Sequence, residues 1–181
     1  MNHAEEIWKT LVRATVDKKH PWRVVGFSTS GPNGPQVRSV ILRGVKPAER
    51  QLLFFTDSRS QKMADIAHDA RVALLFWNPR SNTQLRVCGN AAPEASELIV
   101  NGHWERIPDY ARNDYATLSA PGTALHTAVA GIELSAARDN FSVLKVTVEK
   151  MELLQLSRDG HVRVALLRDT EGVWIESGLV P

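Results

Sequence analysis

The run Thr56-Asp57-Ser58-Arg59-Ser60-Gln61-Lys62 gathers hydroxyls, a carboxylate, an amide and two cations directly after the apolar, β-prone Leu52-Leu53-Phe54-Phe55. Residues of these types cap helices: Asp57, Ser58 or Ser60 could supply the cap, and Ser58 with Gln61 matches the S-x-x-Q capping box. A capped helix with solvated charges is the plain reading. The other is an anion site. Unpaired N–H groups and the positive end of a helix dipole attract a phosphate, Ser60 adds a hydroxyl donor, and Arg59 and Lys62 add charge.

Upstream, R-S-V-I-L-R (38–43) sets an arginine at each end of a strand. Arg38, Val40 and Leu42 share one face, and Ser39, Ile41 and Arg43 the other. Snorkelling explains one such arginine; two, next to a strand that feeds a Ser/Arg/Lys helix start, favour an anion site. In T-Q-L-R-V (83–87), Gln84 and Arg86 alternate with Leu85 and Val87. A half-wet antiparallel strand alternates in this way, while a glutamine amide, both donor and acceptor, suits a flat heterocycle with mixed polar edges.

Other chemistries find little support. No two of the 6 histidines stand at i, i+3 or i, i+4, so no metal site is expected. Cys88, the single cysteine, reads as a small core residue. Ser28, Ser30 and Ser39 lack the His/Asp pattern of a triad, and no G-x-G-x-x-G or P-loop occurs. The 5 tryptophans are scattered, unlike a basic stacking array for nucleic acid.

The elements that must position these residues follow from periodicity. At 181 residues, 43% hydrophobic and 23% charged, the chain is expected to form one soluble globular domain, 1–181. A net charge of +2 is too small to recruit nucleic acid or membrane on its own. No basic region precedes an apolar core at the N-terminus, and no apolar run reaches the roughly 18 residues of a span. With one cysteine, a cytoplasmic location fits best. Ile7, Leu11 and Ala14 mark an amphipathic helix over 3–18, stopped by His20-Pro21. Strands are expected at 22–30, 36–45, 51–57, 72–78, 83–93, 143–156, 161–169 and 173–177, with a short helix at 58–69. Residues 94–119 look helical with a break at Ile107-Pro108, and 119–140 reads as a long functional or partly mobile loop. Three strands, a helix and two more strands suggest a mostly antiparallel barrel with one helical excursion.

Taken in order, R-S-V-I-L-R, L-L-F-F-T-D-S-R-S-Q-K, R-V-A-L-L-F-W and Q-L-R-V-C-G resemble the pyridoxamine 5′-phosphate oxidase-like proteins, which bind flavin mononucleotide (FMN) on a split β-barrel. The likeness covers about residues 22–92 and extends loosely to the C-terminal strands. It implies a mainly β (α+β) split barrel with an N-terminal helix and peripheral helices. It also implies that Arg38, Ser39, Val40 and Leu42 line the flavin through backbone and side chain, with Arg43 near the ring or phosphate. Phe55 and Thr56 would meet the ribityl and ring edge; Ser60, Gln61 and Lys62 would hold the phosphate; Gln84 would bond the isoalloxazine. Gln61 stands where the true oxidase commonly has arginine, so the grip loses one charge. Arg59 falls outside the matched positions and reads as solvent-facing. The family's site forms between two subunits, which implies a homodimer.

The last third departs from the true oxidase. Leu154 replaces its tryptophan, and its R-x-H-D-R is left with only His161 and Arg163, the latter kept as a flavin contact. W-I-E-S-G-L-V-P preserves the family's ending, with Trp174 structural. Pro121-Gly122-Thr123 resembles a motif of a shorter, flavin-binding branch. The expectation is an FMN flavoprotein, an oxidoreductase acting on an unidentified small molecule without an identified acid or base. The alternatives are a non-catalytic flavin- or haem-binding sensor or carrier, with His126 or His161 as haem ligand, and a barrel kept only as a dimerisation scaffold.

Overall fold

The computed structural model describes residues 2–124 and 136–181. Helix α1 (His3–Val16) starts where the Asn2 side chain accepts the Glu5 N–H, and Glu5 and Glu6 complement the dipole in its first turn. Ile7, Trp8, Leu11 and Ala14 form its buried face. The strand expected from Trp22 begins two residues later, because Pro21 opens a 3-10 turn, Pro21–Arg23, whose Trp22 N–H bonds His20 Nδ1.

Five strands and a helix follow: β1 (Val24–Gly31), β2 (Gly34–Lys46), β3 (Gln51–Asp57), α2 (Gln61–His68), β4 (Arg71–Asn78) and β5 (Thr83–Pro93). The stretch around Ile107-Pro108 forms α3 (Glu97–Trp104), α4 (Asp109–Arg112) and a 3-10 turn, Asn113–Tyr115. The loop expected over 119–140 falls partly on 125–135, which lie outside the described residues, and so does His126. Its end is helical instead, as α5 (Ala137–Asn140). Then come β6 (Phe141–Gln155), β7 (Val162–Arg168) and β8 (Trp174–Leu179). Among the described residues no helix is long and apolar enough to cross a membrane.

The strands run β3-β2-β1-β4-β5-β6-β7-β8, each antiparallel to its neighbours, and β3 also pairs with β6. That pairing closes β1 to β6 into a barrel, with β7 and β8 extending beyond it: a split barrel, mainly β. Strand β6 manages both tasks by length. Phe141–Thr147 lie along β3, Leu144–Gln155 along β5, and Lys150–Gln155 along β7. A bulge at Cys88/Gly89, with Glu149 as the extra residue of β6, bends it between its two neighbours.

Strict alternation fills the barrel. Leu85, Val87, Gly89 and Ala91 of β5 point inward, with Phe27, Phe54 and Phe76 from other strands. The rings of Phe27 and Phe54 meet edge to face at 5.4 Å. Cys88, expected in the core, is exposed on the outside, because it shares the parity of Gln84 and Arg86. A second cluster, built on Val100, Ile107, Tyr115, Phe141 and Val143, holds α3, α4 and α5 against β3 and β6.

Candidate functional site

Strand β3 delivers Thr56 to the start of α2, and the chain turns there with Ser60 N–H bonded to Asp57 C=O. Ser60 occupies the N-cap position, yet no side chain caps the helix. Its hydroxyl donates back to Asp57 C=O at 2.7 Å. The Ser58/Gln61 capping box does not form either: Gln61 Nε2 donates to Asp65 Oδ1 at 2.9 Å, one turn on. The helix therefore begins with amides that no side chain among the described residues satisfies, beside two buried hydroxyls, Thr56 and Ser60.

Lys62 lies over this opening. Its ammonium donates to Thr56 Oγ1 at 2.9 Å and to Ser60 Oγ at 3.1 Å. No carboxylate comes within ion-pair distance of it among the described residues. Burial, and then the nearby Arg38 charge, push its pKa below the usual lysine range against the pull of Asp57. A cation that is half out of water and unpaired costs free energy. An incoming anion would remove that cost.

Arg38 reaches in from β2. Its Nη1 donates to Thr29 Oγ1 at 2.6 Å and to Phe27 C=O at 3.4 Å, and its Nη2 to the buried Asp65 carboxylate at 3.3 Å. Arg59, expected to face solvent, is instead paired in parallel with Asp57 through Nε (3.0 Å) and Nη2 (2.7 Å). It also donates to Thr117 C=O at 3.0 Å and Leu118 C=O at 3.2 Å, tying that segment to the start of α2.

The remaining candidates divide. Val40 packs against the core and Leu42 is fully buried, so the Leu42 side chain lines no ligand and only its backbone could. Arg43 is the extra residue of a second bulge, between Leu42/Phe54 and Gly44/Leu53, which turns it out over the Phe55 ring at 5.5 Å. There it joins Arg23, His103 and Arg106 around a cavity of about 290 Å³. None of these three arginines has a carboxylate within ion-pair distance among the described residues. Burial, then the Arg106 and Lys46 charges, lower the His103 pKa, which favours the neutral ring.

Ser39, Gln84 and Arg163 belong to the outer face of the sheet. Register places Ser39, Gly26, Leu75, Arg86 and Glu152 in one row, with Trp77, Gln84, Leu154 and Arg163 in the next. Arg163, read as a flavin contact, is bound to Glu152 Oε1 through Nε at 3.0 Å and Nη2 at 2.7 Å, and Arg86 shares the same oxygen at 3.2 Å. No hydrogen bond or ion pair among the described residues joins Gln84 or Arg163 to the Lys62 cluster. His161, the second haem-ligand candidate, accepts the Ser157 N–H through Nδ1 in the β6–β7 turn.

Burial pushes the Glu152 pKa up, but the Arg163 hydrogen bonds and the two arginine charges outweigh it, so the net shift is downward. A carboxylate depressed in the folded state contributes stability that is complete above its unfolded pKa and lost as pH falls through the folded one. Glu152→Gln protein is therefore expected to lose less stability on acidification below about pH 4.5 than the parent, read as the urea midpoint against pH.

Asp65, Thr29, Arg23 and Arg106 had no motif to point to them. Asp65 meets partners 27 and 36 residues away in the chain, which no local spacing encodes.

Residues 5–93 match the model of the family described as pyridoxamine 5′-phosphate oxidase, FMN-binding domain. That span holds Arg38, the start of α2 and Gln84. Over 75 residues the chain is 42% identical to the pyridoxine/pyridoxamine 5′-phosphate oxidase of Granulibacter bethesdensis, covering 39% of this chain and 35% of that protein. It is 42% identical over 64 residues to the same-named protein of Kineococcus radiotolerans, covering 35% and 28% respectively. The chain thus spans about a third of the length of these curated relatives. Among solved structures, an FMN-binding protein related to pyridoxamine 5′-phosphate oxidase from Nostoc punctiforme superposes with a TM-score of 0.77 at 21% identity, over 99% of this chain and 97% of that one. PhzG from Burkholderia lata, solved with tetrahydrophenazine-1-carboxylic acid, gives 0.77 at 18% identity, over 98% and 91%. At these identities the likeness is one of fold.

Proposed function

Because residues 5–93 carry the FMN-binding domain of the pyridoxamine 5′-phosphate oxidase family, we propose that this chain is a flavoprotein oxidoreductase acting on a small anionic molecule. The observation that carries the cofactor reading is Lys62: a half-buried ammonium held by two hydroxyls at the start of α2, with no carboxylate in ion-pair distance among the described residues. That arrangement fits a phosphate. Ser60 and Lys62 would hold it, with Arg38 adding charge and Gln61 an amide. Thr56, Phe55 and the β2 backbone at Ser39, Val40 and Leu42 would border the rest of the flavin. Bound FMN supplies the redox step, exchanging a hydride or electrons with the substrate. The chain's own residues bind and orient.

The substrate class rests on Arg23, Arg43, His103 and Arg106, three guanidiniums without an ion pair among the described residues and an imidazole around one cavity. Such a pocket favours a carboxylate or phosphate. The likeness to the vitamin B6 oxidases covers about a third of their length, so a B6 phosphate is one candidate among several.

A homodimer completes the reading. The outer face exposes Val24 (53%), Leu75 (45%) and Trp77 (42%) around Gln84, an apolar patch suited to burial. Within one chain Gln84 and Arg163 make no link to the Lys62 cluster among the described residues; across a two-fold axis the face of one protomer could meet the cluster of its partner. We read residues 1–181 as one cytoplasmic unit of this dimer.

The test is the absorption spectrum of purified protein, before and after incubation with FMN, followed by a screen of nicotinamides, B6 phosphates and small carboxylates for flavin reduction. A flavin band, and bleaching by an anionic donor, are expected. Protein that stays colourless after incubation sinks the reading, and bound flavin that no donor reduces favours a carrier instead.

A further inference from the structure

Asp65 is the least exposed acid of the α2 region, its side chain 2% accessible. It joins three elements: Thr29 of β1 donates to Oδ2 at 2.6 Å, Arg38 of β2 to Oδ2 at 3.3 Å, and Gln61 of α2 to Oδ1 at 2.9 Å. Those three bonds hold the carboxylate in place. A Cβ placed on Gly31 would lie 2.9 Å from Asp65 Cγ and closer still to Oδ1, so glycine is required there.

Arg38 does not depend on Asp65 for its position, since Thr29 Oγ1 and the Phe27 carbonyl also hold its guanidinium. Among these partners of Arg38, only Asp65 supplies negative charge. Arg38 and Lys62 are close enough for one to depress the pKa of the other, so a flavin-free site without Asp65 would hold two neighbouring cations with only Asp57, already paired with Arg59, to offset their repulsion.

We propose that Asp65 is an internal counter-ion that stands in for the cofactor phosphate in the flavin-free protein and competes with it for Arg38 in the bound one. This rests on reading the start of α2 as the phosphate site. The consequence is an exchangeable cofactor. The carboxylate stabilises the empty protein and weakens the phosphate grip, and Gln61, whose amide it engages, adds no charge to offset that loss.

The measurement is calorimetric titration of FMN and of riboflavin into flavin-free parent and Asp65→Asn protein, with thermal unfolding of each with and without FMN. Asparagine keeps the shape and can still accept from Thr29 and Arg38. In the variant, FMN binding is expected to tighten about tenfold with riboflavin unchanged. The flavin-free protein should melt lower, and its gain in Tm on adding FMN should be larger. An unchanged FMN-to-riboflavin ratio, or selectively weaker FMN, overturns the proposal. A parent that binds both flavins equally removes the phosphate reading beneath it, which is a different failure. If the variant does not fold, the parent itself decides. The ¹³C resonance of the Asp65 carboxylate should shift on saturation with inorganic phosphate, and a resonance that does not respond overturns the competition.

Discussion

Lys62→Met protein is expected to bind FMN about 30- to 100-fold more weakly than the parent while binding riboflavin equally well. Methionine keeps the apolar stem and removes the charge, and a hydrogen bond to a charged group contributes about 2–3 kcal/mol. Riboflavin lacks the phosphate, so it should not register the change. Fluorescence titration of the two flavins reads both numbers. The flavin-free variant should melt no lower than the parent, because the ammonium it loses is half-buried and has no carboxylate in ion-pair distance among the described residues. A pH signature accompanies this. The Lys62 pKa is lowered by burial and by Arg38, so in the flavin-free parent the ammonium is lost earlier on raising the pH than an ordinary lysine's. FMN affinity should fall along that alkaline limb, and the limb should vanish in the variant. Equal losses for both flavins would place the phosphate elsewhere.

Gly89→Ala is expected to cost about 3 kcal/mol, or about 6–12 °C in Tm for a chain of this size. An added Cβ would lie 3.0 Å from the Thr147 carbonyl carbon and 3.2 Å from Val148 Cα, and nearer still to the Thr147 oxygen. These are backbone atoms that cannot rotate away. They belong to the bulge where β6 passes from β3 towards β7, so relieving the clash means opening the barrel at its split. Gly102→Ala is the control. Gly102 lies inside α3 with no atom within 4 Å of an added Cβ, and that substitution should stabilise by about 0.5–1 kcal/mol. Urea and thermal unfolding of the pair would show opposite signs.

Much of the barrel is legible in the sequence because its strands alternate cleanly. Leu85 and Val87 against Gln84 and Arg86 already separate inside from outside, and the same parity would have put Cys88 outside had residue type not been weighed above position. The start of α2 is legible for a local reason: Thr56, Ser60 and Lys62 lie within one turn, and their contacts are with one another. The Asp57–Arg59 pair is equally local, but Arg59 lies outside the positions that the family motif covers. What escapes notice is long-range. Glu152 gathers Arg86 and Arg163 from adjacent strands, and Arg43 is aimed by a bulge that no residue type announces. The cavity around Arg43 takes arginines from the end of a 3-10 turn, the middle of a strand and the loop after a helix, so no run of sequence shows them as a group.

The pairing of β3 with β6 has a consequence for the chain as it is made. Synthesis runs from the N-terminus, and β1 to β5 are complete by Pro93, while β6 begins only at Phe141. Until it arrives, β3 and β5 are open edges, rich in Leu, Phe and Val and able to pair with any extended neighbour. The stretch that matches the FMN-binding family, 5–93, is thus a sheet awaiting its last stave. Closure joins residues roughly ninety positions apart in the chain, such as Gln51 with Thr147, and contacts of that separation form late and slowly. The nascent protein passes through a stage in which it is most in need of protection from its own copies, the same copies with which the finished barrel is proposed to pair.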